Sequence, residues 1–267
     1  MSLAPDPRSE PAADSARTRA RIVVWWEHHR RELPWRASRD DYAIWVAEVM
    51  SVQTSVLRAV NVWERWMARW PRVEALAAAS LAEVLVEWQG LGYPRRARDL
   101  HRGAAHVVAH GWPEDLQELP GVGPYIAAAI RCFAREEPVL PRDVNVNRVL
   151  ARRFPNGVDI TVDPWRSGQA LMEFGQRVCR ARPDCAACPV REACPGRLDP
   201  HGATAPPRRQ KPYRGSLRER RGRLLARLLH AGALDLDGLD ADEREAAATL
   251  VADGLARAQG ARLHPPA

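Results

Sequence analysis

Lysine is almost missing from this chain: of 40 basic residues Lys211 is the only one, and the remaining cations are arginines. No Schiff base can therefore form on a lysine amine before residue 211. No run of about 18 apolar residues is present, which leaves no candidate membrane span. The first twenty residues are rich in Pro, Ala, Ser and Asp and lack the apolar centre of a signal peptide. Residues 1–18 are accordingly expected to be a disordered tail on a cytoplasmic protein. Strict alternation of apolar and polar residues is scarce too, so no strand is expected before residue 250. Cysteine is sparse and clustered: of five, Cys179, Cys185, Cys188 and Cys194 fall together, while Cys132 stands in an apolar stretch and reads as a small core residue. A short cluster without a secretory signal points to metal ligation rather than disulfides.

What is there reads as helix. Leu57, Val60, Trp63, Met67 and Trp70 recur at helical spacing and suggest one wide apolar face. Ser80 with Glu83 forms a capping box that opens a helix closing near Gly90. Asp163-Pro164 suits the start of a helix running toward Cys179. The ten tryptophans mostly sit on such faces and are expected to be core. The fold class is all-α: a helical domain over residues 19–195, a Pro- and Arg-rich linker over 196–213, and a small module over 214–267. In that module Arg218–His230 is a basic amphipathic helix, Asp242–Leu255 is a second helix, and residues 254–263 suit a hairpin. The order resembles a winged helix, and a small structural cap fits equally well. A net charge of +7 suits a polyanionic partner.

The most informative string is Leu119-Pro120-Gly121-Val122-Gly123-Pro124-Tyr125, followed by an apolar helix. Two glycines one residue apart allow a tight turn that aims backbone N–H groups from a helix start, a phosphate cradle that reads no sequence. Alone, it equally fits an ordinary helix–turn–helix connection. Three more strings accompany it: Leu33-Pro34-Trp35-Arg36 leading to Trp45-Val46-Ala47-Glu48-Val49-Met50-Ser51-Val52-Gln53-Thr54, then Gly90-Leu91-Gly92-Tyr93 with Arg95, Arg96 and Arg98, then Asp143-Val144-Asn145. With the cysteines they resemble, in order and over residues 30–195, the helix-hairpin-helix, iron–sulfur base-excision glycosylases, a resemblance that implies a two-part all-α fold with an iron–sulfur loop. The nearest subgroup is the MutY-type adenine glycosylases, in a short form lacking the full C-terminal recognition domain.

The residue chemistry fits such an enzyme. Glu48 lies in an otherwise apolar helical segment, where the protonated acid is favoured, as a general acid to a base requires. Asp143 starts the next candidate helix and would stay ionised, stabilising positive charge on the sugar. The bland alternative makes Glu48 a solvated side chain and Asp143 a mere N-cap. The resemblance implies that Tyr125 and Asn145 assist near the sugar, that Arg36 helps hold the base, and that Gln53, Thr54 and Tyr93 contact the gap left by an extruded nucleotide. It also implies backbone contacts from Gly121, Gly123, Arg95, Arg96, Arg180 and Arg182, although the arginine run also fits a solvated face. Lyase members of the superfamily carry a lysine just after the hairpin; Tyr125 stands there, so a monofunctional enzyme without lyase activity is expected.

The spacing Cys-x5-Cys-x2-Cys-x5-Cys can hold a [4Fe–4S] cluster or a tetrahedral zinc; the resemblance implies the former. Three departures accompany the match: the first cysteine gap is one residue short, Val52 stands where the family has a second glutamine, and the segment from Phe154 to Cys179 is shortened. The expected partner is double-stranded DNA carrying a mismatch or an oxidised-guanine lesion, bound by a monomeric, nucleoid-associated protein away from membranes. Two other functions remain open here: a glycosylase for another base, such as thymine or uracil opposite guanine, and a non-enzymatic DNA-binding protein.

Overall fold

The computed structural model describes residues 9–192, 194–197 and 212–267. Two units divide the chain, each discontinuous in sequence: Met1–Ile44 with Pro124–Pro207, and Trp45–Gly123 with Arg208–Ala267. Residues 214–267, the C-terminal module, fall in the second unit. Helix α2 (Asp41–Ser51) runs through the boundary.

In the first unit α1 (Ser9–His29), α7 (Pro124–Phe133) and α8 (Val144–Arg153) each pack on α9 (Pro164–Arg177). Helix α9 is placed where the sequence suggests, with Pro164 in its first turn and the Asp163 side chain accepting from Arg166 N at 3.0 Å. Trp165, Leu171 and Phe174 of α9 are buried, as are Ile22 and Trp26 of α1, Ile130 and Phe133 of α7 and Val149 of α8, and Trp26 meets Trp165 edge to face at 5.7 Å. Gly175 permits the close crossing of α8, because a Cβ there would lie 2.8 Å from the Asn145 carbonyl oxygen. Helix α1 begins at Ser9, inside the stretch expected to be a disordered tail. Of the expected linker, residues 198–211 lie outside the described residues.

The second unit contains α3 (Val56–Arg69), α4 (Val73–Ala77), α5 (Leu81–Glu87) and α6 (Arg95–His110), with α4 and α5 packed on α6. Ser80 and Glu83 form the expected capping box, an arrangement worth about 1 kcal/mol. Trp66, Trp70 and Trp88 meet edge to face with centroids 4.7 and 5.8 Å apart. The face of α3 differs from expectation: Ala59, Val62 and Trp66 point inward, whereas Leu57 is 81% exposed. The apolar residues of α3 exceed one stripe, and the neighbouring tryptophans determine which stripe is covered. Seven of the ten tryptophans are buried, as is Cys132, in line with a core role.

The module comprises α10 (Leu217–Ala231), β1 (Leu234–Asp235), α11 (Ala241–Ala252), β2 (Arg257–Gln259) and β3 (Arg262–His264). The three strands form an antiparallel sheet in the order β1-β3-β2. The hairpin lies where the sequence puts it. Strand β1 was not expected before residue 250; two residues are too few for alternation to register, and pairing with β3 defines it.

Candidate active site

Helix α2 is buried without a break from Tyr42 to Met50, and Glu48 is its only charged residue in that span. Glu48 is 8% exposed. A carboxyl group held this way faces a large desolvation cost as an anion, which suits proton donation.

Asp143 belongs to the first unit and is the N-cap of α8. Its Oδ1 accepts from the backbone N–H groups of Asn145 and Val146 at 2.9 and 2.7 Å, and its Oδ2 from the Asn145 side-chain amide at 2.7 Å. The amide oxygen of Asn145 accepts from Arg148 Nη2 at 2.7 Å, and Arg148 also donates to the Gly175 and Cys179 carbonyls at 2.8 and 2.7 Å. A continuous hydrogen-bonded chain therefore joins the Asp143 carboxylate to the start of the cysteine loop. The sequence alone assigns Arg148 no role; its place one turn after Asn145 on α8 is what brings it to this chain. Tyr125, in the first turn of α7, is half-buried.

Cys179, Cys185, Cys188 and Cys194 line one cavity with Arg152, Val178, Pro183 and Arg191. Arg152 points a guanidinium N–H at Cys179 Sγ, 3.7 Å away, and holds the Arg180 carbonyl at 2.8 Å. Burial pushes the Cys188 thiol up to about 11 and raises Cys179. The four donors fit a thiolate-ligated group in number and in sharing one cavity. Among the described residues, no three His, Cys, Asp or Glu side chains converge tightly enough for a single metal ion. Arg180 and Arg182, on the loop between Cys179 and Cys185, are exposed.

Arg36 is held by three partners within the first unit. Its Nη2 donates to Glu173 at 2.7 Å, its Nε to Gln169 at 2.9 Å and its Nη1 to the Arg31 carbonyl at 2.5 Å, with the guanidinium over Trp26. All three nitrogens are engaged within the first unit, so Arg36 builds the core there. Its partner Glu173 escaped the sequence reading. It is 1% exposed and also meets Arg31 at 2.9 Å, Arg177 at 3.2 Å and Trp26 Nε1 at 3.1 Å. Burial alone would raise its pKa; the hydrogen bond and charge of Arg36, then Arg31, outweigh that and hold it below the ordinary 4.5. The available signal was a lone acid between Leu171 and Phe174 on an otherwise apolar helix face.

The second unit carries Gln53, Thr54, Tyr93, Gly121, Gly123, Arg95 and Arg96. Gln53 and Tyr93 are exposed and both have left-handed backbones, at φ +53° and +50°, conformations unfavourable for side chains of this size. They line one pocket of about 340 Å³ with Val52, Arg95, Arg96, Arg98 and Asp99. Arg96, expected as a phosphate contact, is turned inward. It donates to the carbonyls of Val49 and Val52 at 2.7 and 2.6 Å and of Leu91 and Gly92 at 3.1 and 3.2 Å. One guanidinium thus ties the loop after α2 to the loop before α6. Thr54 Oγ1 adds a bond to the Leu91 carbonyl at 3.4 Å. Arg95 is exposed, 3.6 Å from Asp253. Gly121 takes φ +75° and lies against Asp99, where a Cβ would meet Asp99 Cβ at 3.0 Å. Gly123 has open space where a Cβ would be, so the protein itself does not demand glycine there.

Residues 46–162 match the family of HhH-GPD superfamily base excision DNA repair proteins. The chain is 38% identical over 232 residues to an adenine DNA glycosylase of Mycobacterium tuberculosis, covering 76% of each protein. It is 40% identical over 232 residues to that of Mycolicibacterium smegmatis, covering 76% of this chain and 78% of the relative. Against the mouse adenine DNA glycosylase it is 40% identical over 216 residues, but spans only 42% of that protein. Among solved structures, a thermostable thymine-DNA glycosylase superposes with a TM-score of 0.62 at 23% identity, covering 71% of this chain and 97% of that one. A trapped endonuclease III–DNA covalent intermediate gives 0.55 at 21%, covering 68% and 95%. At such identities these two likenesses show a shared fold alone.

Proposed function

Because the chain belongs to the adenine DNA glycosylases of the HhH-GPD base excision superfamily, we propose that this DNA N-glycosylase hydrolyses the N-glycosidic bond of adenine mispaired with 8-oxoguanine or guanine. It acts without lyase chemistry, as a monomer on duplex DNA in the cytoplasm, associated with the nucleoid. The observation that carries this reading is Glu48, the one charged residue in a buried run of helix. Protonating a purine ring nitrogen is the task that needs such an acid; a pyrimidine-removing relative has less use for it. Loss of a protonated adenine leaves positive charge on the sugar, and the Asp143 carboxylate, fixed by three N–H donors, stabilises it. Asn145 holds Asp143 in place, and Tyr125 attends the sugar where a lyase would carry a lysine. A water completes the hydrolysis.

Gly121 and Gly123 present backbone N–H groups to a phosphate, the open side of Gly123 leaving room for its approach. Gln53, Thr54 and Tyr93 attend the gap left by the extruded base. Exposed Arg95, Arg180 and Arg182 serve the backbone. The four cysteines would hold a [4Fe–4S] cluster, whose contribution is to order the 179–194 loop. Zinc held by the same four sulfurs, each about 2.3 Å from the ion, is the alternative occupant. A brown, iron-containing protein supports the cluster; a colourless one with stoichiometric zinc contradicts it.

The test is Glu48→Gln, which removes the acid with little change in volume. Excision is expected to fall about 10²–10⁴-fold, the usual worth of a general acid, while duplex binding persists. Near wild-type turnover by this variant would remove Glu48 from the chemistry.

A further inference from the structure

We propose that the C-terminal module braces the gap-filling loop, with Arg218 and Asp253 as positioning residues for Tyr93. The idea rests on the reading of Tyr93 as a DNA-facing residue. The loop from Trp88 to Pro94 joins α5 to α6, and the module holds the helix before it, its second end and the Tyr93 side chain. Before the loop, α10 packs on α5, and Leu81 N, at the far end of that helix, donates to the Ala267 carbonyl at 3.2 Å. At the second end, the Asp253 carboxylate meets Arg95 of α6 at 3.6 Å and pairs closely with Arg221 of α10, while the Asp253 carbonyl accepts from Arg98. Beside that end, Arg218 Nη1 donates to the Tyr93 hydroxyl at 3.3 Å, and its guanidinium lies over the Tyr213 ring, 6.0 Å from the centroid.

Two further observations favour a brace over a second DNA-reading surface. The arginines of α10 answer carboxylates of the module itself: Arg220 meets Asp242 at 2.6 Å, Arg223 meets Glu219 at 3.6 Å, and Arg227 pairs with Glu243. The basic helix is thereby largely neutralised by its own neighbours. Between the tethers lies a pocket of about 560 Å³, lined by Gly92, Tyr93, Leu217, Arg221 and Thr249 among others. The loop is therefore held at points rather than packed along its length, and each point matters. Arg96 and Trp88 hold the loop's backbone from within, through the Gly92 carbonyl; the module adds a hold on the Tyr93 side chain, whose left-handed backbone gives it little intrinsic preference for that pose.

Hydrogen exchange on the free full-length protein tests this independently of any excision. In Arg218→Met, peptides covering Leu91–Arg96 are expected to exchange about tenfold faster, with most of the protection restored in Arg218→Lys and an intermediate effect in Asp253→Asn. Tyr93→Phe should match Arg218→Met, and combining the two should add little. In single-turnover excision at saturating enzyme, Arg218→Met should be slower by about fivefold, with affinity for undamaged duplex within about twofold. Unchanged exchange in Arg218→Met and Asp253→Asn overturns the brace. So does a selective loss of duplex affinity with unchanged exchange, which would make α10 a DNA contact. If the wild type excises no base, the proposed function fails while the exchange data still decide the brace.

Discussion

The two units treat polar groups in opposite ways. In the first, Glu173 is sealed among Arg31, Arg36 and Arg177, and Asp143, Asn145 and Arg148 form a chain in which each side chain has several fixed partners. In the second, Gln53 and Tyr93 sit exposed on strained backbone, held through other residues: Arg96 from within and the C-terminal module from outside. On the proposed function, the difference separates two demands of base excision. A group that stabilises charge must already be in place when charge develops, whereas groups that enter a duplex must be presented to it. Substitutions in the first unit should therefore cost stability unless they preserve the hydrogen bonds, and those in the second should cost function while leaving stability nearly intact.

The sharpest separation comes from Asp143→Asn. Asparagine caps a helix about as well as aspartate, so unfolding free energy should change by less than about 1 kcal/mol. Excision should nevertheless fall about 10²–10³-fold, the worth of a preorganised electrostatic contact. Single-turnover rates and denaturant unfolding on the same preparation check both halves.

Next in size is Glu173→Gln, which removes the anion from three arginines and should cost about 3 kcal/mol at neutral pH. Because the folded-state pKa is depressed below 4.5, Glu173 contributes stability that is complete above that value and lost as pH falls through the folded pKa. The gap between wild type and variant should consequently close as pH drops below about 4.5; a constant gap would mean that hydrogen bonding rather than charge matters there.

The smallest effect is expected at Gln53→Gly. Relief of the left-handed strain and the added freedom of the unfolded chain nearly cancel, leaving a stability change within about 1 kcal/mol. On the proposed role of Gln53 at the gap, excision should still slow. A large stability loss would place Gln53 with the buried network and break the contrast.

Much of this was legible in the residues. The hairpin string, the capping box at Ser80, the Asp163-Pro164 helix start and the C-terminal hairpin each rest on local chemistry and lie where that chemistry puts them. Glu48 stood out because its helix is apolar on every side. Arginines carry the least local signal: Arg36 and Arg96 look alike in sequence whether they face a ligand or a buried carbonyl, and only tertiary partners, such as Glu173 for Arg36 and the Val49 and Val52 carbonyls for Arg96, distinguish the two. Leu57 and the face of α3 failed for a related reason, since more than one apolar stripe was available. Glu173 was hidden because a buried carboxylate is tolerable only beside cations that lie far away in the chain.

The most direct measurement is single-turnover cleavage of labelled duplexes carrying A:8-oxoG, A:G, T:G and U:G pairs, each with and without alkali. The account predicts adenine release from the first two, with strand breaks only after alkali. Activity confined to T:G or U:G, or strand breaks without alkali, would contradict it.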